Sequence, residues 1–130
     1  MYSVIIRDHM MIAHSLDSEA FGPAQKLHGA TYVVDAEFKS ERLDENSIVI
    51  DIDIATKELQ KALAPLKYQN LDELQQFEGK LTTTEFLAKY VHDTISGAMK
   101  DRFSGSLKIT LGESHVAWAT YEAPIEWRSF

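Results

Sequence analysis

The chain has 130 residues, a formal net charge of −7 and no cysteine. Its length suits one folded domain, and 45% hydrophobic residues are typical of a globular protein. The acidic balance argues against nucleic acid as a partner, because a phosphate backbone is itself negative. The lack of cysteine excludes disulfides, thiolate zinc sites and a cysteine nucleophile. We expect a single domain over residues 1–130.

The N-terminal segment contains Arg7 and Asp8, where a signal peptide would need an apolar core. No run approaches the roughly 18 apolar residues of a membrane span. We therefore expect a cytoplasmic protein with no membrane partner. A chain this short buries a limited fraction of its surface, so self-association would add stability.

The first half of the chain predicts β-structure. Short β-prone runs at 2–6 and 10–14 flank a polar pair, and 31–38 is rich in β-branched and aromatic residues. The segment 15–29 contains glycines, a proline and many polar residues, which predict a long loop. A further strand is predicted at 47–52, directly after a turn signal.

Two helices are predicted next. Apolar residues recur at helical spacing from Ile54 to Leu66, and Asp53 is the expected N-cap. The second helix is indicated by Thr82 and Glu85, which have the Thr-x-x-Glu spacing of a capping box.

The last segments, at 107–111 and 116–120, alternate apolar and polar residues and predict a hairpin. The order of these elements predicts an α+β domain with the helices on one face of an antiparallel sheet.

Two histidines, His14 and His28, fall at the ends of neighbouring predicted strands. Neutral imidazole is the commonest protein ligand for zinc, so the pair could share a metal ion. The alternative is a pair of hydrogen-bonded histidines with no metal.

Six short segments carry a more specific pattern. They are IAHSL at 12–16, KLHG at 26–29, VIDI at 49–52, NLDEL at 70–74, TTTE at 82–85 and ITLGE at 109–113. In order and spacing they resemble the motifs of the 6-pyruvoyltetrahydropterin synthase/6-carboxytetrahydropterin synthase family.

This resemblance implies the tunnelling fold, in which a four-stranded antiparallel sheet with two helices on one face joins with other copies into an oligomeric barrel. It implies a homo-oligomer, a trimer or hexamer, with active sites shared between subunits. It also implies a lyase acting on dihydroneopterin triphosphate. In that chemistry a zinc ion held by three histidines polarises the side-chain hydroxyls, while a cysteine and an Asp–His pair move protons.

The candidate site has three parts: His14 and His28 as zinc ligands, Asp72 and Glu73 as catalytic groups, and Glu113, Thr83 and Thr84 as pterin-binding groups. A glutamate suits a pterin because a carboxylate accepts two parallel hydrogen bonds from the N–H edge of a guanidine-like ring. Helix capping is the alternative role for the threonines, and solvation in a loop is the alternative for the two adjacent carboxylates.

The sequence departs from the family pattern at three positions. Ala24 stands where the family has its cysteine, Ala30 where it has a third zinc histidine, and Glu73 where it has the catalytic histidine. Alanine neither binds a metal nor carries a proton, so we expect zinc to be weak or absent. His9 and His115 are spare histidines, and nothing in their spacing marks either as a third ligand.

Three functions stay open at this point. The first is a pterin-binding member of the lyase family with altered or lost catalysis. The second is a catalytically silent oligomer that binds a pterin or a purine-like ring, and the third is a purely structural oligomer. Trp118 and Trp127 are interpreted as core or interface anchors rather than as stacking surfaces.

Overall fold

The computed structural model describes residues 1–125, which form a four-stranded antiparallel sheet and two α-helices. The strands β1 (Tyr2–His14), β2 (His28–Ser40), β3 (Gly105–Ser114) and β4 (Ala117–Ile125) lie side by side in chain order. The helices are α1 (Ile52–Leu63) and α2 (Thr84–Met99), and short 3-10 turns occupy Glu19–Gln25, Leu71–Glu73 and Gln75–Phe77. In the described part of the chain, no helix is long and apolar enough to cross a membrane.

The core lies between the two helices and one face of the sheet. Along β2 every second side chain from Tyr32 to Phe38 is buried, as the two-residue period of a strand requires. Helix α1 packs Leu59 against this face, and α2 adds Leu87 and Val91, all fully buried. The predicted α+β class, with helices on one face of an antiparallel sheet, is confirmed.

The first strand is continuous, whereas the sequence predicted two short strands around a polar pair. Arg7 forms a bidentate ion pair with Asp35 on β2, with N···O distances of 2.8 and 3.0 Å. The Asp8 carboxylate accepts hydrogen bonds from the Lys67 ammonium at 3.1 and 3.2 Å. Because the side chains of Arg7 and Asp8 both have partners of opposite charge, the hydrogen-bonded ladder between β1 and β2 continues through these two residues without a break.

The strand predicted at 47–52 is wrong. The Asp44 carboxylate accepts hydrogen bonds from the backbone N–H groups of Asn46 and Ile48, at 2.8 and 3.3 Å, and closes a turn. Ser47 adopts a positive φ of 63°, which is incompatible with an extended strand. The apolar residues that follow contribute to the core instead, and Ile50 is only 8% exposed.

Both helix caps lie at different residues from those predicted. Asp51, not Asp53, caps α1, because its carboxylate accepts from the backbone N–H groups two and three residues later, at 2.8 and 3.3 Å. Thr83, not Thr82, caps α2 and accepts from the N–H of Phe86 at 3.1 Å. The Thr82 hydroxyl is therefore available for another contact.

Because Asp51 rather than Asp53 caps α1, the two aspartates should contribute differently to the free energy of unfolding. Asp51→Ala should lower the free energy of unfolding by about 1 kcal/mol, because it leaves helix N–H groups without an acceptor. Asp53→Ala removes only a favourable charge in the first turn and should cost about half as much. Urea unfolding at one fixed protein concentration measures both losses. A larger loss of unfolding free energy for Asp53→Ala than for Asp51→Ala would show that Asp53 is the N-cap.

Candidate functional site

The β1–β2 register brings the two predicted zinc ligands together. His14 ends β1 and lies directly opposite His28, the first residue of β2. The ring centroids are 4.6 Å apart and the rings meet edge to face, at 65°. Nδ1 of His28 lies 2.8 Å from the carbonyl oxygen of Lys26. Because a carbonyl only accepts, this nitrogen carries a proton, and Nε2 is the nitrogen of His28 whose lone pair a neutral ring would offer to a metal.

The His14 ring is buried, with 3% exposure, and its Nδ1 lies 3.0 Å from the hydroxyl oxygen of Thr82. Burial lowers the pKa of His14 below its ordinary value, and the neighbouring His28 lowers it further. The backbone of Thr82 and the carboxylates of Asp72 and Glu113 oppose this lowering of the pKa without cancelling it. The neutral ring is therefore favoured, and this is the form that binds metals.

Ala30 stands where the resemblance implies a third zinc histidine. It lies opposite Ile12 and, two residues along the strand, on the same face of the sheet as His28. Within residues 1–125, no three histidine or acidic side chains are grouped so as to hold a metal ion. The donor set does not fit the three-histidine zinc site that the resemblance implies.

The two predicted catalytic carboxylates have different surroundings. Asp72 accepts hydrogen bonds from the backbone N–H and the hydroxyl of Ser15, at 3.0 and 2.6 Å, and so lies beside the end of β1. Glu73 follows it in the same 3-10 turn but is exposed, and its carboxylate has no ion pair or hydrogen bond with the described residues. Of these two carboxylates, Asp72 is the one that hydrogen bonds hold beside the end of β1.

The predicted pterin anchor, Glu113, lies at an irregularity between β3 and β4, where the register shifts between Gly112 and Ser114. A bulge of this kind redirects a side chain. The Glu113 carboxylate accepts a hydrogen bond from the Thr84 hydroxyl at 3.4 Å. The Thr83 oxygen serves as the cap of α2, so Thr84 is the threonine that reaches this glutamate.

Glu113 opens onto a cavity of about 320 Å³ beside the hairpin. The lining residues are Thr84, Glu85, Glu113, Ala117, Trp118, Ala119 and Thr120. The cavity therefore joins the start of α2 to the edge strand β4.

Tyr32 is a site residue that the sequence analysis missed. Its ring is buried, with 1% exposure, near Thr84 and Glu113. Burial raises the pKa of Tyr32, Thr84 opposes the rise, and the Glu113 carboxylate adds to it. The hydroxyl therefore stays protonated. The sequence could have indicated Tyr32, because it falls at an inward position of a predicted strand, where a buried hydroxyl needs a hydrogen-bond partner.

Trp118 does not belong to the core, because 58% of it is exposed. The core role considered for this residue is wrong, whereas its role as an interface anchor stays a prediction. Trp127 lies outside the described residues. Thr82 was also misassigned, since it bonds with His14 instead of capping α2.

Comparison with known proteins places this chain in a family. The family model of 6-pyruvoyl tetrahydropterin synthase matches residues 3–124. The chain therefore belongs to the 6-pyruvoyl tetrahydropterin synthase family. It is 24% identical over 88 residues to 6-carboxy-5,6,7,8-tetrahydropterin synthase of Bacillus subtilis. That match covers 67% of this chain and 60% of the length of the Bacillus enzyme.

Solved structures give the same fold. 6-Pyruvoyl tetrahydropterin synthase of Caenorhabditis elegans has a TM-score of 0.83 at 24% identity, and the match covers 94% of this chain and 95% of that one. The Plasmodium falciparum protein of the same name has a TM-score of 0.75 at 16% identity, covering 95% and 98%. The predicted tunnelling fold of the subunit is confirmed.

The Ala30 position predicts how zinc binding can be restored. Ala30→His should raise zinc affinity at least about tenfold, because a third imidazole on the face of His14 and His28 replaces a water ligand. Thr31→His is the matched control, since this neighbour is exposed on the opposite face of the sheet. Calorimetric titration with zinc measures all three proteins. Tight, stoichiometric zinc binding by the unaltered chain would contradict the two-donor description.

Proposed function

We propose that the protein binds a pterin ring through Glu113 and converts dihydroneopterin triphosphate very slowly or not at all. It is a lyase by family, with altered or lost catalytic residues. The observation that carries the proposal is the exposed Glu113 carboxylate, which lies next to the Thr84 hydroxyl at the wall of the 320 Å³ cavity.

The chemistry of this carboxylate suits the edge of a pterin. The ring presents adjacent N–H donors, and a carboxylate accepts two of them in parallel. Charge-assisted hydrogen bonds of this kind contribute about 1.5–3 kcal/mol each. Thr84 supports this interaction because its hydroxyl donates to one carboxylate oxygen of Glu113 and restricts the rotation of the glutamate side chain.

The negative charge of the residues that line the cavity favours a pterin ring, rather than a triphosphate group, as the part of a ligand that binds there. Two carboxylates, Glu85 and Glu113, face the cavity, and its lining in the described part of the chain contains neither lysine nor arginine. A triphosphate here would place like charges close together, at a cost in free energy. A pterin ring without phosphates meets no such repulsion.

Slow or absent turnover follows from the substituted positions. Ala24 and Glu73 replace two proton carriers of the family, and one positioned acid or base contributes about 10²–10⁴ in rate. We propose no zinc-dependent step, because the donor set does not fit that site. Asp72, held by Ser15 close to His14, is the remaining carboxylate able to accept a proton there.

Substitution of the anchor tests the proposal. Glu113→Gln should weaken pterin binding at least about tenfold, because one carboxylate oxygen becomes an amide donor that faces the donors of the ring. Glu85→Gln is the matched control, since it removes a charge from the same cavity and should leave binding nearly unchanged. Calorimetry with pterin measures affinity, and product release from dihydroneopterin triphosphate measures turnover.

Equal binding by the unaltered chain and Glu113→Gln, or binding by neither, would reject the anchor. Rapid turnover by the unaltered chain would reject the loss of catalysis and would direct attention to Asp72.

We also propose that the protein is a homo-oligomer, a trimer or a hexamer, closed by pairing between edge strands. Strand β1 begins the sheet and β4 ends it, and unpaired edges of this kind invite pairing with another chain. Successive strands are antiparallel, so β4 of one copy and β1 of the next continue the same alternation and can close a barrel.

The free length of β1 is limited by a segment of the same chain. The N–H of Tyr68 donates to the carbonyl of Met11 at 2.7 Å, and the N–H of Ala13 donates to the carbonyl of Gln69 at 3.0 Å. These bonds occupy the outer edge of β1 at Met11 and Ala13. In a strand, alternate residues direct their backbone groups to the same side. The outward groups left for a second copy therefore belong to Ser3, Ile5, Arg7 and His9.

The same alternation continues across the sheet to β4, where the outward groups belong to Trp118, Thr120 and Glu122. Pro124 is also outward but has no N–H, so the donors of this edge end before it. The two free edges have similar lengths and opposite directions, which suits an antiparallel ladder between copies.

Paired cysteines test this assembly, and the chain contains no other thiol. Arg7→Cys is combined in turn with Trp118→Cys, Thr120→Cys or Glu122→Cys. We expect one combination to cross-link under mild oxidation, because opposed residues in a ladder have Cα atoms about 5.5 Å apart, within disulfide range. The products on a denaturing gel should end at the ring size, three chains.

Arg7→Cys with Lys108→Cys is the control, because Lys108 lies on the inner strand β3. A monomer in sedimentation, or an oligomer that none of the three combinations cross-links, would reject edge-strand closure.

A further inference from the structure

An apolar groove of about 510 Å³ lies beside the start of β1, at one edge of the sheet. Its lining comes from the first residues of β1 and from the segment 43–52, which leads from β2 into α1. The large apolar side chains in this lining include four that are 38–60% exposed: Tyr2, Leu43, Ile48 and Ile52. Contiguous exposed apolar surface is typical of an interaction site.

The polar groups of the groove leave little for a charged ligand to bind. Among its described lining residues the one charged group is the carboxylate of Asp51, which already caps α1. Ser3 and Ser47 add two hydroxyls. The groove therefore suits an apolar or aromatic side chain.

The segment 126–130, with the sequence EWRSF, follows Ile125, the last residue of β4. It contains an indole, Trp127. By the two-residue period of a strand, Trp127 has the same parity as Ile125, whose side chain belongs to the hydrophobic core on the helix side of the sheet. An apolar partner on that side of the sheet would suit Trp127.

The groove of the same chain is too far away to be this partner. The pairing of β1, β2, β3 and β4 puts Tyr2 and Ile125 at the same end of the sheet, at its two opposite edges. Three strand spacings of about 4.8 Å separate these edges by about 14 Å. Two further residues extend a chain by at most about 7 Å, so the backbone of Trp127 stops short of its own β1.

The groove of a neighbouring copy is close enough. In the proposed ring, β4 of one copy lies a single spacing of about 4.8 Å from β1 of the next. The two strands run in opposite directions, so the end of β4 lies beside the start of the neighbouring β1. That start is the part of the strand that lines the groove.

We propose that Trp127 docks in the apolar groove of the neighbouring copy, between the start of its β1 and its segment 43–52. The proposal rests on the assembly proposed above and adds to it a side-chain anchor, which backbone pairing between edge strands does not by itself require. Each copy would contribute one indole and one groove, so a closed ring leaves neither exposed to water.

A second cavity, of about 400 Å³, adjoins Ile125 in the same chain and is the competing location. Its lining includes Lys39, Glu41 and Arg42 together with three serines. An indole packed there would remove charged and hydroxyl groups from water without offering them enough hydrogen bonds in return. The apolar groove carries no such penalty.

Sedimentation equilibrium of substituted chains tests the docking. Trp127→Ala should weaken association at least about tenfold, because tryptophans buried in an interface are among the side chains that contribute most to affinity. Ile48→Glu should weaken it by a similar factor, since it puts a charge in the groove. The two substitutions combined should cost little more than either alone, because both remove the same contact. Ile54→Glu is the matched control, since Ile54 has the same 38% exposure as Ile48 and does not line the groove.

Cross-linking identifies the chain that provides the groove. The chain has no cysteine, so Trp127→Cys in one chain and Ile48→Cys in a second chain, enlarged by a tag, can be mixed and treated with a short bismaleimide. We expect a product that contains both chains. Val116→Cys in place of Ile48→Cys is the control, because it lies in the hairpin at the other end of the sheet. Linkage of Trp127→Cys to Ile48→Cys within one chain, or to Ser104→Cys in the polar cavity, would overturn the proposal.

Fluorescence gives an independent reading. The chain has two tryptophans, so Trp118→Phe leaves Trp127 as the only indole. In the assembled protein its emission should lie at a shorter wavelength than that of tryptophan in water. Adding Ile48→Glu should shift the emission to a longer wavelength.

The outcomes separate the docking from the assembly. If the unaltered chain is an oligomer and Trp127→Ala associates equally well, the docking is rejected and edge-strand closure stands. If Trp127→Ala dissociates the oligomer but Ile48→Glu and Leu43→Glu do not, the indole binds elsewhere and the groove is rejected. If the unaltered chain is a monomer, the assembly and the docking are rejected together. Circular dichroism of each variant shows whether dissociation occurs with the fold intact.

Discussion

The antiparallel register of β1 and β2 controls the geometry of the candidate site. It runs without a break from Tyr2 opposite Ser40 to His14 opposite His28. A slip of one residue would move every side chain of one strand to the other face and would separate the two imidazoles. The register is held by burial, because Tyr32 and its alternating neighbours on β2 face the helices. The hydrophobic core thus determines which groups meet at the polar end of the sheet.

Three consecutive threonines at the start of α2 connect this sheet to the site. Thr82 bonds with the ring of His14, Thr83 caps the helix, and Thr84 bonds with Glu113. Their roles differ because the chain changes there from extended to helical backbone, which turns successive side chains in different directions. A cap contributes about 1 kcal/mol to stability, and the two flanking hydroxyls use the position that it secures.

The fold of this chain does not require the polar groups that the motif resemblance assigns to catalysis. The resemblance aligns Ala24 and Ala30 with a thiol and an imidazole of the family, and the sheet, both helices and the β1–β2 pairing form around these alanines. The reason is physical: the fold depends on apolar burial and backbone pairing, whereas the chemistry depends on a few polar donors. Under the proposed function, hydrogen bonding from a ligand to Glu113 needs neither a metal nor a proton carrier.

Periodicity in the sequence predicted the two helices and the α+β class, and the motif resemblance implied the four-stranded sheet, because these patterns are local or keep their order along the chain. The roles of the site residues stay predictions. Tertiary structure decided what depends on partners distant in the chain or on competition between nearby groups. The carboxylate of Asp44 closed a turn where β-branched residues predicted a strand. Thr82 bonded with a histidine 68 residues away instead of capping a helix. Trp118 lies outside the core because it pairs with Gly112 on the face of the sheet that is turned away from the helices. Local patterns specify which groups the chain carries, and only folding determines which of them come into contact.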